Sequence, residues 1–378
     1  MPGKVAGPPT DNSVIYSLRA LFGIAMSNVH HLPTIFILAL IAVTGPVFAA
    51  TPDGSAVLET LKVSPDQVAH LENGGVLTLS GKQWERTDRE LASDAAVLIN
   101  KPLEEVLTES LEGATLVPSK KILDIGVVKS EADFAGVDLQ PHEIKEARKI
   151  LDAEPGDDLN FSVEEIAMIR QLAATIGREA TDEDILAAAS EAMRRLLAGR
   201  YRTYMESGLS GIAPYQRSKR KFVAVGDELR LTTDTLIFIK EHFPVYFDAL
   251  LNFPEDAGCC EHDISWVKVR VMKRPAFVLI HRVTLIGENY AVITERFFYA
   301  SHTLNSAQIT IGWLPYGDST LMGLATSASA DILTGFVGKA LRLLGRDKAD
   351  EIAGGVLTDI KTDVESDADK SAGESQPD

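Results

Sequence analysis

The segment ISWVKVRVMKRPAFVLIHRVTLIGENYAVITERFFYASHTLNSAQITIGWLPYGDSTLMGLATSA, residues 264–328, decides the fold. It divides into five apolar or alternating runs, at 264–272, 277–286, 291–302, 307–314 and 320–328. The breaks between them carry turn chemistry: Arg274-Pro275, Gly287-Glu288-Asn289 and Pro315-Tyr316-Gly317-Asp318. Strands joined by such short connections pair antiparallel, so this region is expected to be a β-meander.

Working outward, the C-terminal side opens with Asp331, an N-cap residue, and continues as an apolar stripe of Ile332, Leu333, Phe336, Val337, Ala340, Leu341 and Leu344 before Gly345. That is a closing amphipathic helix over 332–344. Its Gly335 and Gly338 remove bulk, so that either the sheet or a ligand can approach. From Asp350 to the end there are nine acidic side chains against Lys361 and Lys370, and the chain ends in small residues and proline; residues 346–378 are expected to be a mostly disordered acidic tail.

On the N-terminal side, residues 50–93 look irregular apart from a short strand at Val76–Leu79. Ala95–Ile99 then reads as a strand leading through Lys101-Pro102 into a helix that ends at Leu111. Three helical stretches follow, at 141–151, 162–176 and 181–197. Two of them open on the capping-box spacings Ser162…Glu165 and Thr181…Asp184. The acidic loop 152–160 between the first two fails the calcium-loop pattern, because Asp157 stands where glycine is required and Val163 where the bidentate Glu belongs. A turn-rich loop, 207–215, lacks the Gly-Lys-Ser/Thr ending of a phosphate cradle; it leads to a strand at 222–225 and an apolar helical segment at 232–251.

An early strand and helix, a late meander and a closing amphipathic helix together resemble the helix-grip fold of the START-like or Bet v 1-like superfamily. The resemblance rests on Ala95–Leu111 and Ile264–Leu344. It implies an α+β domain over 94–345 whose meander wraps on the long C-terminal helix, with a large helical insertion at about 113–260. It also implies an apolar cavity for a hydrophobic small molecule or lipid between sheet and helix. Strand parity puts large side chains on common faces: Phe277, Leu279 and His281 on one strand, Phe297 and Tyr299 on the next, Ile309, Ile311 and Trp313 on a third. These residues, with Phe336 of the helix, are the expected pocket lining, although any packed sheet shows the same pattern.

His281 on an apolar face must be paired or wet. It is either a satisfied core histidine or a group that orients a ligand or moves a proton. Arg282, on the opposite face, is placed to pair with Glu295 or an acidic headgroup. Ser301 and His302 are strand neighbours pointing to opposite faces, so they do not form a nucleophile–base pair. No metal, cofactor or catalytic set emerges from the spacings. The leading function is binding of a hydrophobic small molecule or lipid without covalent chemistry. The alternatives are a scaffold docking through the 140–199 helices, and a lyase, cyclase or hydrolase built on the same pocket.

The 378 residues carry a formal charge of −17, with 45% hydrophobic and 24% charged side chains. That balance excludes a polytopic membrane protein and argues against a nucleic-acid binder, which needs clustered Lys and Arg. The one basic run, Arg217–Lys221, has no interleaved aromatics and reads as a solvated strand start; a membrane-surface contact stays open. LPTIFILALIAVTGPVF, residues 32–48, followed by Ala49-Ala50, looks like an export signal cleaved near Ala49, with Met26 as the natural start. The alternative is an inner-membrane anchor over 32–49. Export would give Cys259 and Cys260 an oxidising, periplasmic or secreted setting. For these adjacent residues, plain loop thiols, a vicinal or intermolecular disulfide, and metal ligation with His262 are the three options.

Overall fold

The structure, a computed structural model, describes residues 52–111, 122–156, 159–177, 179–255 and 258–373. The segment 32–49, Met26 and the cleavage position lie outside the described residues. The chain is α+β, built on one eight-stranded antiparallel sheet. The meander supplies five strands: β6 (Glu261–Val271), β7 (Arg274–Gly287), β8 (Tyr290–Ala300), β9 (Ser306–Tyr316) and β10 (Ser319–Ser329). Tight turns set its register. Met272 and Lys273 link β6 to β7 with φ of 49° and 70°, the positive-φ pair of a two-residue hairpin, and Gly317 at φ 58° starts the β9–β10 turn.

Two strands come from far upstream. β2 (Glu90–Ile99) pairs with β10 from Ile99↔Thr320 to Glu90↔Ser329, so an early strand lies beside the last one. β1 (Leu77–Ser80) extends the sheet beyond β2, and β3 (Ile122–Val128) pairs with β6 at the opposite edge. The insertion therefore begins after β3 and not at residue 113. Along edge strand β3, Leu123, Ile125 and Val127 stay exposed.

Both faces of the sheet are apolar and both are covered. On the inner face, Val97, Val267, Ile280, Ile293 and Phe297 pack with Leu103 and Val106 of α3 (Leu103–Leu111) and with the closing helix α10 (Gly335–Gly373). α10 lies mainly across β2 and β1. Its length corrects the expectation of a disordered tail from 346: the helix runs to Gly373, burying Ala349, Ala353, Leu357 and Val364 against the sheet. The stripe recurs every four residues and then at seven, but its small alanines do not register as an amphipathic face among so many acidic neighbours. The helix also starts later than Asp331 suggests, because Asp331–Leu333 forms a 3₁₀ turn. Ile332 and Leu344, assigned to the apolar stripe, are exposed at 45% and 57%. Gly338 serves close packing, since a Cβ there would come within 2.1 Å of the Leu333 carbonyl carbon.

The outer face carries three groups of helices. α1 (Gly54–Thr60) and α2 (Pro65–Glu72) cover the β1–β2 end, so residues 50–93 are not an irregular lead. The far end is covered by α4 (Ile144–Leu151), α5 (Val163–Ile176) and α6 (Asp182–Ser207), whose apolar sides meet Trp266, Phe277 and Phe298. Both expected capping boxes form: Ser162 N–H donates to Glu165 Oε2 at 2.7 Å and Thr181 N–H to Asp184 Oδ2 at 2.8 Å. A small hairpin, β4 (Tyr215–Ser218) and β5 (Lys221–Val223), leads into three short helices over the middle of the sheet: α7 (Val225–Thr233), α8 (Ile237–His242) and α9 (Pro244–Asn252). Pro244 starts α9, which explains why the helical pattern at 232–251 is not one continuous helix. Arg217, from the basic run, is not free. Its guanidinium reaches Asp331 at 2.5 Å, Asn160 Oδ1 at 2.6 Å and Asn305 Oδ1 at 3.0 Å, tying the hairpin to the end of the sheet.

Leu357 is fully buried. Leu357→Ala is expected to cost about 2–4 kcal/mol of unfolding free energy, read from urea denaturation; a value near zero would mean that this part of α10 does not pack on the sheet.

Candidate functional site

The expected lining residues divide between two faces. Phe277, Leu279 and Tyr299 pack under the outer helices, whereas Phe297, Ile309, Ile311 and Trp313 face α3 and α10. The divider is a β-bulge: Leu279 pairs with Tyr299 and Ile280 with Phe297, so Phe298 is the extra residue. Beyond it the side-chain alternation shifts by one, and Phe297 and Tyr299 land on opposite faces despite their spacing. Each of these residues is at most 2% exposed and packed into a core cluster. The side chain of Phe336 lies outside the described residues.

His281 is fully buried on the outer face and both ring nitrogens are engaged: Nδ1 lies 2.8 Å from the Tyr204 hydroxyl and Nε2 2.9 Å from His262 Nδ1. The three side chains form a line from the buried end of α6 to half-buried His262. A neutral imidazole has one donor and one acceptor nitrogen, so the line can carry its hydrogens in either of two concerted directions. The Phe253 ring packs on Tyr204, His262 and His281. Burial, then the positive charge of Arg296, then His262 hold the His281 imidazole well below the ordinary histidine value. Burial likewise pushes the Tyr204 hydroxyl up, with Arg296 offsetting part of the push. Arg296 is itself 1% exposed and donates to neutral acceptors: Gln308 Oε1 at 3.1 and 3.2 Å, the Leu250 carbonyl at 2.8 Å and Thr233 Oγ1 at 3.0 Å. Of the cysteine options, the structure shows the vicinal disulfide, Cys259 bonded to Cys260. On the inner face Arg282 pairs with Glu295 at 2.5 Å, the cross-strand ion pair expected from register. Ser301 and His302 serve backbone groups: Ser301 Oγ accepts from Phe277 N–H, and His302 Nε2 lies 3.0 Å from the Pro275 carbonyl.

The space for a ligand is elsewhere. An apolar pocket of about 130 Å³ lies on the outer face between α1, α8 and the sheet. Its floor is a row of small residues crossing four strands, Ala96↔Gly323↔Gly312↔Val292. A Cβ built at Gly323 would meet nothing within 4 Å, and one at Gly312 would come no closer than 3.7 Å to another atom. The missing side chains therefore create the volume. Val57, Leu61, Leu236 and Phe238 form its walls.

No family model, curated protein or solved structure matches this chain. The geometry alone therefore ranks the two sites: the Tyr204–His281–His262 line is packed shut, and the pocket is open to a guest. Sequence reasoning missed the pocket, yet its signal is present. The turn pairing Tyr316↔Ser319 places Gly312 opposite Gly323, so two glycines face one another across one hairpin.

Because the folded state holds His281 neutral, the stability it contributes is complete above about pH 6.5 and is lost as the pH falls below it. His281→Gln is expected to cost about 1–3 kcal/mol at pH 8, and the deficit should shrink at pH 5 in urea titrations. An equal deficit at both values would show that the imidazole is not kept neutral by its surroundings.

Proposed function

We propose that this chain is an exported binding protein for a small apolar molecule, held without covalent chemistry in the outer-face pocket. The observation that carries this reading is the glycine-floored volume between α1, α8 and the sheet, walled by aliphatic and aromatic side chains. Concave apolar sites of this kind are the default ligand sites of globular proteins. The size favours a compact guest over a whole lipid, since a dry cavity of roughly 150 Å³ is enough for benzene. The strand order, with β2 beside β10 and α10 across β2, supports a helix-grip-like arrangement. The ligand site is nevertheless proposed on the face opposite the closing helix.

Export is supported by the apolar run 32–48 and small residues at its end. The Cys259–Cys260 disulfide suits an oxidising compartment. Among the described residues no helix is long and apolar enough to cross a membrane. If export holds, mass spectrometry of the secreted or periplasmic form should give a chain beginning at Ala50; a retained 32–49 segment would indicate an anchor instead.

Gly323→Val tests the pocket directly. The branched side chain fills space that is empty, so the unfolding midpoint should be kept or raised, since glycine in a strand costs about 0.5–1 kcal/mol. Toluene binding, followed by ligand-observed NMR, should weaken at least about tenfold, a difference near 1.4 kcal/mol. Unchanged toluene affinity in a folded variant would remove this site from consideration.

A further inference from the structure

The β4–β5 hairpin presents the densest basic run of a chain whose net charge is −17: Arg217, Lys219, Arg220 and Lys221. Arg217 is engaged by Asp331, Asn160 and Asn305. Lys219, Arg220 and Lys221 are exposed, and among the described residues none of the three is in an ion pair. Phe222 follows directly and is 62% exposed. Ile332, next to the Asp331 that receives Arg217, adds an exposed aliphatic side chain at the same end of the sheet. From this combination we propose that the hairpin tip docks the protein on the surface of an anionic phospholipid bilayer, with Phe222 entering the interface and Lys219, Arg220 and Lys221 meeting the phosphates. The proposal does not depend on the pocket being the ligand site.

A single exposed apolar side chain is ordinary on a protein surface. What sets Phe222 apart is how it is held and what surrounds it. Along the hairpin Tyr215 and Val223 face inward and are buried, so Gln216 and Phe222, paired in register, face outward. The inward side is fixed: the Tyr215 hydroxyl donates to the Asn305 carbonyl at 3.1 Å and Gln216 N–H to the Phe161 carbonyl at 2.8 Å. The Gln216 side-chain amide donates to the Ser218 and Lys221 carbonyls and closes the turn. The Phe222 ring is thereby held out in water, beside three long cationic side chains. Lys and Arg have apolar stems and charged ends, so a ring between them can sink to the acyl boundary while the charges stay among the headgroups. Each such charge near an anionic surface strengthens binding roughly fivefold. The acidic remainder of the chain is repelled by the same lipids, which turns the hairpin toward them. A nucleic-acid strand asks for something else, a basic groove following successive phosphates and several aromatic platforms for its bases. The two-residue turn at Lys219 and Arg220 offers one ring and three cations at a point.

The test uses the full chain and vesicles of phosphatidylcholine alone or mixed in equal parts with phosphatidylglycerol, at about 0.1 M salt. Co-sedimentation gives the affinities, and Phe222→Trp supplies a probe at the tip, since Trp266 and Trp313 are buried and Trp84 is half-buried. On the anionic vesicles the introduced indole is expected to shift to shorter emission wavelength and to be quenched by bromine-labelled acyl chains; on neutral vesicles it should do neither. Lys219→Glu combined with Lys221→Glu should weaken anionic-vesicle binding at least about thirtyfold, and Phe222→Ser about tenfold, with unfolding midpoints unchanged because the positions are exposed. Every variant carries residues 32–48 alike, so the differences between variants report the hairpin. An unquenched indole, equal binding to the two kinds of vesicle, or a charge reversal without effect would each overturn the proposal. So would a short single-stranded oligonucleotide that binds more tightly than the vesicles and is lost on the same charge reversal. Toluene affinity should be the same in all these variants, so failure here leaves the pocket reading standing.

Discussion

The ladder between β2 and β10 is the contact on which the rest of the architecture depends. It joins residues 90–99 to 320–329 across more than half of the chain, and closing so large a loop is entropically costly before any ladder bond forms. Once made, it gives the meander a long partner on its β10 side. It also creates the surface on which α10 lies and brings β1, α1 and α2 alongside. Without it the meander would end in an open strand, with unpaired backbone groups and an uncovered inner face.

A sheet apolar on both sides must be covered on both sides, and the two coverings differ. The inner face is packed by α3 and α10 through aliphatic and small side chains. The outer face receives several short helices and a long pair, and at their junctions it admits polar groups. Arg296, Gln308 and Thr233 form one such junction, and Thr294, Thr310 and Tyr246 form another, with Tyr246 donating to Thr294 Oγ1 at 2.9 Å. These groups are hydrogen-bonded, which removes most of the cost of burying them. Where neither side chain nor helix fills the junction, above Gly312 and Gly323, the pocket remains.

Much of this order was legible from residue pattern. Five strands of the meander, the α3 segment and the capped starts of α5 and α6 follow from alternation, turn residues and capping spacings that act locally. The Arg282–Glu295 pair was legible because register alone brings it together. What escaped has a physical reason in each case. The bulge at Phe298 shifts side-chain parity by one residue, and its cause lies in the pairing of two strands rather than in either of them. The second half of α10 hides because its contact stripe opens on two alanines, Ala349 and Ala353, and is set among acidic residues, acquiring meaning only when β2 lies beneath it. The pocket hides because it is made of absent side chains, whereas a search for lining looks for large ones.

The bond between Cys259 and Cys260 carries a consequence of a different kind. A cross-link stabilises a protein largely by shortening the list of shapes open to its unfolded chain, and the gain grows with the length of the ring it closes. Neighbours in sequence close the smallest ring available, so this bridge restrains almost nothing beyond its own two residues. Its influence is therefore local: it fixes the path of the backbone just ahead of β6, and with it the point from which His262 extends toward His281. Breaking the bridge would loosen one address in the polypeptide without taking a staple out of the fold.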